Sequence, residues 1–488
     1  MEERQIDTLS SSVRPRVLLK YIGQLCLVIS LLISVIVVMS VFFAEYSQSL
    51  SYAIAAFVLA VAGFLFSRLS APADIQPNEA LVISFFIFLF AALAAAYPMT
   101  ASGISFQDAF FESISGVTTT GLSTLADVSG KPKTFLFARA WLQWFGGLGI
   151  VVLSLAILIR PGMAARRLID SDETEDILGG TRNYARKVLK VYVALTVFGL
   201  YILLLTGIGF VPALVHTLAA VSTGGFSSYQ NSLSGIDNGL SRALVILVSC
   251  SGAVSLALFY RGFKKGGAAF AADVQIRWMI VIWVAGAVLL SVSLGVFERL
   301  PWRFVLGNAP FLALSAQTTT GFSTVNPGDL GQASKLLLIC LMMIGGSIGS
   351  TAGGIKVVRF LILLRLLKLT IVRTCMPQHA VVEPRLSGER LEPEEIEGSL
   401  LIILLFIIVV VVSWIPFVIS GYDPLDSLFE VVSAACTVGL STGITSQDLP
   451  AFLKGVLGAD MLMGRLEIVA VLVVLYPRTW IGRKGSPK

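Results

Sequence analysis

Long apolar stretches separated by short polar breaks run through nearly the whole chain, which predicts a bundle of membrane-spanning helices. The first two stretches are Val17–Phe43 and Ser51–Phe66, with only a few residues between them. A helix needs about 20 predominantly apolar residues to cross the hydrocarbon core of a bilayer. We therefore predict a hairpin of two spanning helices at the start of the chain.

After this hairpin, a long apolar stretch, a short one and a second long one follow each other, and this order occurs four times. The first unit has Ala80–Tyr97, which we expect to stop at Pro98, then Phe106–Val117 and Phe135–Ile159. Its middle stretch, with about 12 residues, is too short to cross a bilayer and predicts a short helix that ends inside the membrane. The later units have Val188–Leu205, Val211–Val221 and Leu240–Tyr260; Trp278–Val296, Phe304–Ala316 and a segment from Ser334; and Leu400–Ser420, Leu425–Ala435 and Phe452–Tyr476.

A hydroxyl-rich string that contains a glycine follows each short stretch. We call Val117–Thr124, Val221–Ser228, Gln317–Thr324 and Ala435–Thr442 the four glycine strings. Aligned on Gly121, Gly225, Gly321 and Gly439, each has hydroxyl residues before the glycine, then Leu or Phe, then Ser. Spacings of about 100 residues between these glycines indicate an internal fourfold repeat. A turn that is reused for structural reasons is the alternative.

The repeated order predicts the architecture. We expect an all-α polytopic membrane protein with ten spans, in which four pseudo-symmetric units surround one pore. Each unit is a span, a pore helix, a filter loop and a second span. The predicted boundaries are 1–72 for the two-helix hairpin, 73–165, 166–265 and 266–375 for the first three units, and 376–488 for the fourth unit with the C-terminal tail.

Composition supports a membrane protein and argues against other classes. Of the 488 residues, 56% are hydrophobic and 14% charged, against about 25% charged in soluble domains. The net charge of +6 does not indicate nucleic-acid binding. Five cysteines without C-x-x-C spacing and two histidines indicate neither a disulfide framework nor a histidine metal site. Without a P-loop, a His-Glu-x-x-His motif or a credible Ser–His–Asp set, we expect neither an enzyme nor a bound cofactor.

The distribution of basic residues predicts the orientation in the membrane. Lys and Arg are concentrated between the repeated units, for example at Arg182–Lys190, Arg261–Lys265 and Arg365–Arg373. The segments around the glycine strings contain fewer of them. Because positively charged loops stay on the cytoplasmic side, we expect both termini in the cytoplasm and the glycine strings to enter from outside.

The glycine strings are the predicted ion-binding site. Non-helical backbone inside a membrane persists only where it is buried in protein or lines water. Rings of backbone carbonyls can replace the hydration shell of potassium, and hydroxyls add oxygen atoms without a fixed charge. The predicted potassium-filter residues are Thr119, Thr120, Gly121, Thr223, Gly224, Gly225, Thr319, Thr320, Gly321, Thr437, Val438 and Gly439.

The segment Ser334–Leu369 is too long for one crossing and has a glycine-rich middle. Glycine disfavours helix by about 1 kcal/mol relative to alanine, so we predict an irregular intramembrane loop that acts as a gate. Close packing of small residues is the alternative. The predicted gate residues are Gly345, Gly346, Ser347, Gly349, Ser350, Thr351, Gly353, Gly354 and Lys356.

Three charged residues inside apolar stretches are further candidates. Arg465 is predicted to act near the pore, as an electrostatic barrier or a partner of the gate loop. A purely structural pair with Glu467, with another acid or with loop carbonyls is the alternative. Glu112 and Glu430 occupy equivalent positions before their glycines, where His216 and Leu312 stand in the other units. Buried hydrogen bonds that hold the short helices are the favoured interpretation, and attraction of cations at an outer mouth is the second.

Each unit resembles the two-span pore unit of potassium channels, although only Thr437-Val438-Gly439 matches the start of their Thr-Val-Gly-Tyr-Gly filter. Four unequal copies after a hairpin resemble the Trk/Ktr/HKT superfamily of potassium transporters, and most closely its TrkH type. That resemblance implies potassium uptake, a homodimer, a cytoplasmic nucleotide-binding regulatory subunit of the TrkA type, an intramembrane gate in the third unit and an arginine at the position of Arg465. A sodium- or proton-coupled symporter is the alternative to a gated pore.

Overall fold

The structure is a computed structural model that describes residues 12–72, 74–158, 181–377, 383–386 and 389–481. The predicted boundary between the first two units, at residues 165 and 166, lies outside this part of the chain. The chain begins with α1 (Pro15–Phe42) and α2 (Tyr46–Ser67), which pack as the predicted hairpin. Gly23 and Gly63 let the two backbones approach closely, since a Cβ atom on Gly63 would lie 2.8 Å from the Gly23 carbonyl oxygen.

The first unit comprises α3 (Pro77–Thr100), α4 (Phe106–Val117) and α5 (Lys133–Leu158). The short helix α4 has the predicted bounds, and its N-cap Ser105 accepts a hydrogen bond from the backbone N–H of Asp108. The predicted stop at Pro98 is wrong, because α3 continues to Thr100. Pro98 removes one backbone hydrogen bond of the helix, and α3 ends two residues after it.

The second unit comprises α6 (Thr181–Leu205), α7 (Phe210–Val221), a 3-10 turn (Ser232–Gly235), α8 (Gly239–Ala253) and α9 (Leu256–Lys265). The predicted span Leu240–Tyr260 is not one straight helix, because α8 and α9 meet at an angle of 95°. The backbone at this break bonds to another segment. The Ala253 carbonyl accepts from the N–H of Ser347, and the N–H of Leu256 donates to the Gly349 carbonyl.

The third unit comprises α10 (Ala268–Ala272), α11 (Val274–Val292), a π-helical turn (Ser293–Phe297), α12 (Trp302–Gln317), a 3-10 turn (Pro327–Asp329), α13 (Gln332–Met343) and α14 (Val357–Thr374). Residues 344–356 contain no helix, which confirms the predicted break. We call them the glycine loop. Beyond α14, β1 (Arg385–Leu386) and β2 (Glu389–Arg390) form an antiparallel pair in which Arg385 lies opposite Arg390.

The fourth unit comprises α15 (Pro393–Ile419), α16 (Pro424–Ala435), α17 (Ala451–Leu466), α18 (Ile468–Leu475) and α19 (Pro477–Trp480). Asp423 caps α16 and accepts from the N–H groups of Leu425 and Asp426. The predicted span Phe452–Tyr476 is divided at Glu467, whose φ of 61° lies in the left-handed region. A β-carbon makes that conformation unfavourable within a helix.

Seven helices in the described part of the chain are long and apolar enough to cross a membrane, or eight if α8 and α9 form one bent span. Predicted crossings that consist of two helices, such as α13 with α14 and α17 with α18, are not in this number, so the total of ten spans stays a prediction. The long helices expose apolar side chains, with Val412 60% and Ile419 81% exposed. The short helices are instead enclosed, since most side chains of α4, α7 and α16 are buried. An apolar exterior around a buried centre is the arrangement expected of a protein surrounded by lipid.

Candidate functional site

The four glycine strings share one backbone conformation at the ends of α4, α7, α12 and α16. A left-handed threonine comes two residues before a glycine with positive φ in every string. The φ values are 53° and 87° for Thr119 and Gly121, 50° and 77° for Thr223 and Gly225, 53° and 77° for Thr319 and Gly321, and 50° and 93° for Thr437 and Gly439. A β-branched residue rarely adopts positive φ. Such conformations are found mainly where function requires them.

The glycines of the four strings contact one another in a closed cycle. A Cβ atom on Gly121 would lie 2.1 Å from the carbonyl oxygen of Gly224, in the second string. The equivalent contacts run from Gly225 to Thr320 at 2.0 Å, from Gly321 to Val438 at 1.9 Å, and from Gly439 back to Thr120 at 2.1 Å. Any side chain at these positions would collide with a neighbouring carbonyl. The close approach of the strings therefore requires glycine at all four positions.

The threonine side chains next to these glycines are buried, and only some of their hydroxyls form hydrogen bonds. Thr319 accepts a hydrogen bond of 2.7 Å from the N–H of Gly353, and the Thr223 hydroxyl donates to the Ser222 carbonyl at 2.8 Å. The hydroxyls of Thr119 and Thr437 have no hydrogen-bond partner in the structure. Buried hydroxyls without partners are rare in proteins. These two unpartnered oxygen atoms are therefore candidate ion ligands.

The two sides of the glycine cycle differ in the space that they enclose. On one side lies a cavity of about 560 Å³, bordered by Gly121, Gly225, Gly321 and Gly439 and by polar residues such as Asp329. On the other side, Gly353, Gly354, Lys356, Arg465 and Glu467 border a cavity of only about 30 Å³. A hydrated ion can enter the first cavity but has very little room in the second.

The glycine loop fills the space behind the strings. The Thr351 hydroxyl donates to the carbonyls of Val221 and Gly252 at 3.1 and 2.9 Å. Gly353 donates to Thr319, as described above, and a Cβ atom on it would lie 2.3 Å from the Cys436 carbonyl. The loop thus touches three of the four strings. Its remaining predicted residues, Gly345, Gly346, Ser347, Gly349, Ser350, Gly354 and Lys356, all lie in this non-helical segment.

Arg465 is buried and connects the glycine loop to the first unit. Its guanidinium donates to the Thr351 carbonyl at 2.7 Å and to the Gly146 carbonyl at 3.4 Å. The alternative of a pair with Glu467 is wrong, because Glu467 bonds to Arg359 at 2.7 Å. The other contact of Arg465 considered from the sequence, with carbonyls of the glycine loop, is present. The Lys356 ammonium also donates to a loop carbonyl, that of Ala352.

Glu112 and Glu430 hold their own glycine strings, as the favoured interpretation predicts. Both side chains are fully buried. Glu112 accepts from the Ser123 hydroxyl at 2.7 Å and from the Thr124 N–H at 3.0 Å. It also pairs with Arg139 at 2.8 Å. In the fourth unit, Glu430 accepts from Ser441, Thr442 and Thr445. In the second unit, His216 Nε2 lies 2.9 Å from the Ser227 hydroxyl.

We expect Glu430→Gln to lower the free energy of unfolding by about 1 kcal/mol, because the amide keeps an acceptor for Ser441 but loses one for Thr445. Thermal unfolding of the detergent-purified protein measures this change. Asp329→Asn is the matched control, since Asp329 is exposed beside the open cavity. An unchanged free energy of unfolding together with a raised KM for potassium transport would instead support attraction of cations by Glu430.

Several polar residues at this site were not identified from the sequence. Gln143 on α5 donates to the Gly224 carbonyl at 2.5 Å and accepts from the N–H of Phe226. Lys454 pairs with Asp108 at 2.8 Å, and the buried Asp460 accepts from the Ser413 hydroxyl at 2.6 Å. Each is a polar or charged residue within or beside an apolar stretch. Such residues are functional candidates on that basis alone.

Comparisons of the sequence and of the structure with known proteins all find cation transporters. The family model described as TrkH, cation transport protein, matches residues 47–479. An uncharacterized cation transporter of Methanocaldococcus jannaschii is 30% identical over 94% of both chains. The Trk system potassium uptake protein TrkH of Escherichia coli K12 is 28% identical over 83% of this chain and 87% of its own. The crystal structure of the potassium transporter TrkH from Vibrio parahaemolyticus superposes with a TM-score of 0.86 and 25% identity, and covers 96% of this chain and 100% of that one.

Proposed function

This chain belongs to the TrkH family of cation transport proteins, and we propose that it carries potassium across a cell membrane through a pore lined by its four glycine strings. It is a membrane transporter and not an enzyme. The observation that carries the proposal is the closed cycle of backbone contacts through Gly121, Gly225, Gly321 and Gly439. A cycle of this kind surrounds a central axis with carbonyl and hydroxyl oxygens.

The chemistry of these strings favours a dehydrated monovalent cation. Backbone carbonyls replace the water around potassium, and the unpartnered hydroxyls of Thr119 and Thr437 supply two further oxygens. Each of the helices α4, α7, α12 and α16 ends at its string. The negative ends of their dipoles therefore favour positive charge between the strings. In this proposal potassium is the substrate, and no cofactor takes part.

We further propose that the glycine loop is the gate. It lies against three strings, it lines the smaller cavity, and Arg465 holds its Thr351 carbonyl. An arginine at this point also places positive charge on the path of a cation. Opening would require residues 344–356 to move away from the strings. The helical breaks on either side of the loop allow such a movement without unfolding a helix.

The proposal includes an assembly and an orientation. Relatives of this chain are named as members of a Trk system. We infer that this chain forms a homodimer and that a cytoplasmic nucleotide-binding subunit of the TrkA type regulates it. We also propose that the chain lies in the inner or plasma membrane of a cell with both termini in the cytoplasm. The wide cavity beside the glycines would then face outward.

Coupled symport is the second candidate, and Asp460 is the observation that favours it. This carboxyl group is fully buried in α17, and its Oδ2 atom has no hydrogen-bond partner in the structure. An ionisable group inside a membrane protein can take part in proton transfer. Sodium coupling needs no such group, because carbonyls and hydroxyls bind sodium as well.

Potassium or rubidium flux into proteoliposomes containing only this chain tests the proposal. We expect flux that saturates with potassium and is unchanged when a sodium or proton gradient is imposed, because a pore needs no second ion. Flux that requires sodium would identify a sodium symporter. Flux that requires protons and is lost in Asp460→Asn would identify a proton symporter. Absence of potassium or rubidium flux from well-folded protein, with or without either gradient, would contradict the proposal.

A further inference from the structure

The third glycine string lacks the side chain that holds the other strings to their own helices. In the first, second and fourth units, a polar side chain bonds to the serine 11 residues further along the chain. These pairs are Glu112 with Ser123, His216 with Ser227, and Glu430 with Ser441. In the third unit the residue 11 positions before Ser323 is Leu312. Leucine offers no hydrogen bond, so this string must be positioned in another way.

The second unit supplies the missing contact. The N–H of Ser323 donates to the hydroxyl of Ser232 at 3.1 Å, and the N–H of Leu233 donates to the Ser323 carbonyl at 3.0 Å. Two hydrogen bonds thus clamp the backbone of the third string just after Gly321. Both come from the 3-10 turn Ser232–Gly235, which follows the second string.

The backbone at Ser232 is held in an uncommon conformation, with φ of 50°. Such a conformation persists when the surrounding structure determines it. Leu233 is fully buried beside it. His216 reinforces the same contact between units, because its ring lies 5.8 Å from that of Phe322 in the third string.

We propose that Ser232 is a positioning residue that sets the ion selectivity of the third string from the second unit. This inference rests on the proposed function, because it assumes that the strings select potassium. Ser232 acts on the backbone around Gly321 and does not itself bind the ion. The filter is accordingly unequal, with three strings held by their own helices and one held by its neighbour.

Ser232→Ala tests this assignment through the potassium-to-sodium permeability ratio in proteoliposomes. We expect the ratio to fall about fivefold, the effect of losing roughly one hydrogen bond, with potassium flux retained. Ser234→Ala is the matched control, since the Ser234 hydroxyl bonds to the carbonyl of Asn231, next to the turn, and not to the third string. The permeability ratio of this variant should equal that of the original protein. Ser232→Gly also removes the hydroxyl, and glycine adopts a positive φ without strain. A fall in that variant therefore cannot come from backbone strain.

A rescue variant distinguishes positioning from general stability. Leu312→His places an imidazole at the position that His216 occupies in its own unit, where it can bond to Ser323. In the Ser232→Ala background we expect this change to restore the permeability ratio at least in part. An unchanged ratio in both Ser232→Ala and Ser232→Gly would overturn the inference. If the unsubstituted chain itself does not discriminate potassium from sodium, the proposed function fails instead, so the two failures are distinguishable.

Discussion

Replacement of Gly321 by serine is expected to lower the preference for potassium over sodium by at least about tenfold, which corresponds to a difference of ~1.4 kcal/mol between the two ions. Gly321 has a φ of 77°, and a Cβ atom on it would lie 1.9 Å from the Val438 carbonyl oxygen. The fourth string must therefore move away from the third. Carbonyls that have moved apart discriminate less well between ions of different size.

Flux of rubidium and sodium into proteoliposomes measures this change. Gly421→Ser is the matched control, because Gly421 has a φ of 87° with no atom within 4 Å of its added Cβ. It introduces the same backbone strain without the collision. The protein should remain folded in both variants, as size-exclusion chromatography can verify. An unchanged ratio in folded Gly321→Ser would show that this string is not part of the filter.

Deletion of Ser347–Ser350 from the glycine loop is expected to raise basal potassium flux on the order of a hundredfold, which a shift of about 3 kcal/mol between closed and open states would produce. Without these residues the loop cannot reach the strings, and its hydrogen bonds to Ala253 and Gly252 are lost. Arg465→Gln should give a smaller increase, because one loop carbonyl loses its guanidinium partner.

Arg359→Gln is the control for charge, since the side chain of Arg359 bonds to Glu467 and not to the glycine loop. Its basal flux should stay unchanged. All variants are compared at equal amounts of reconstituted protein, without any regulatory subunit. A fall in flux after the deletion, with normal expression and a single chromatographic peak, would indicate that the loop serves helix packing.

Several features of this protein could be predicted from the sequence because they depend on local composition. The short helix α4 has its predicted bounds, and the break in the third unit follows from the poor helix propensity of glycine. The fourfold repeat is visible in the spacing of the strings. The need for glycine at Gly121, Gly225, Gly321 and Gly439 is visible as well, but the reason for it is not.

Other features were decided only by contacts between distant segments. The bend between α8 and α9 forms because Ala253 and Leu256 bond to the glycine loop about 90 residues away, and an apolar sequence gives no sign of this. Likewise, Arg465 lies close to Glu467 in the sequence, but the partner of Glu467 is the distant Arg359. The same holds for the clamp on Ser323, which comes from another unit.

The physical reason for this division is the range of the interactions. Hydrophobic stretches and glycine content act over a few neighbouring residues, so the sequence by itself determined a helical membrane protein with several spans and a break in its third unit. Backbone groups that leave a helix inside a membrane must find partners wherever the fold offers them. Only the tertiary structure decided which carbonyl approaches each glycine, which string depends on its neighbour, and how Arg465 meets the loop.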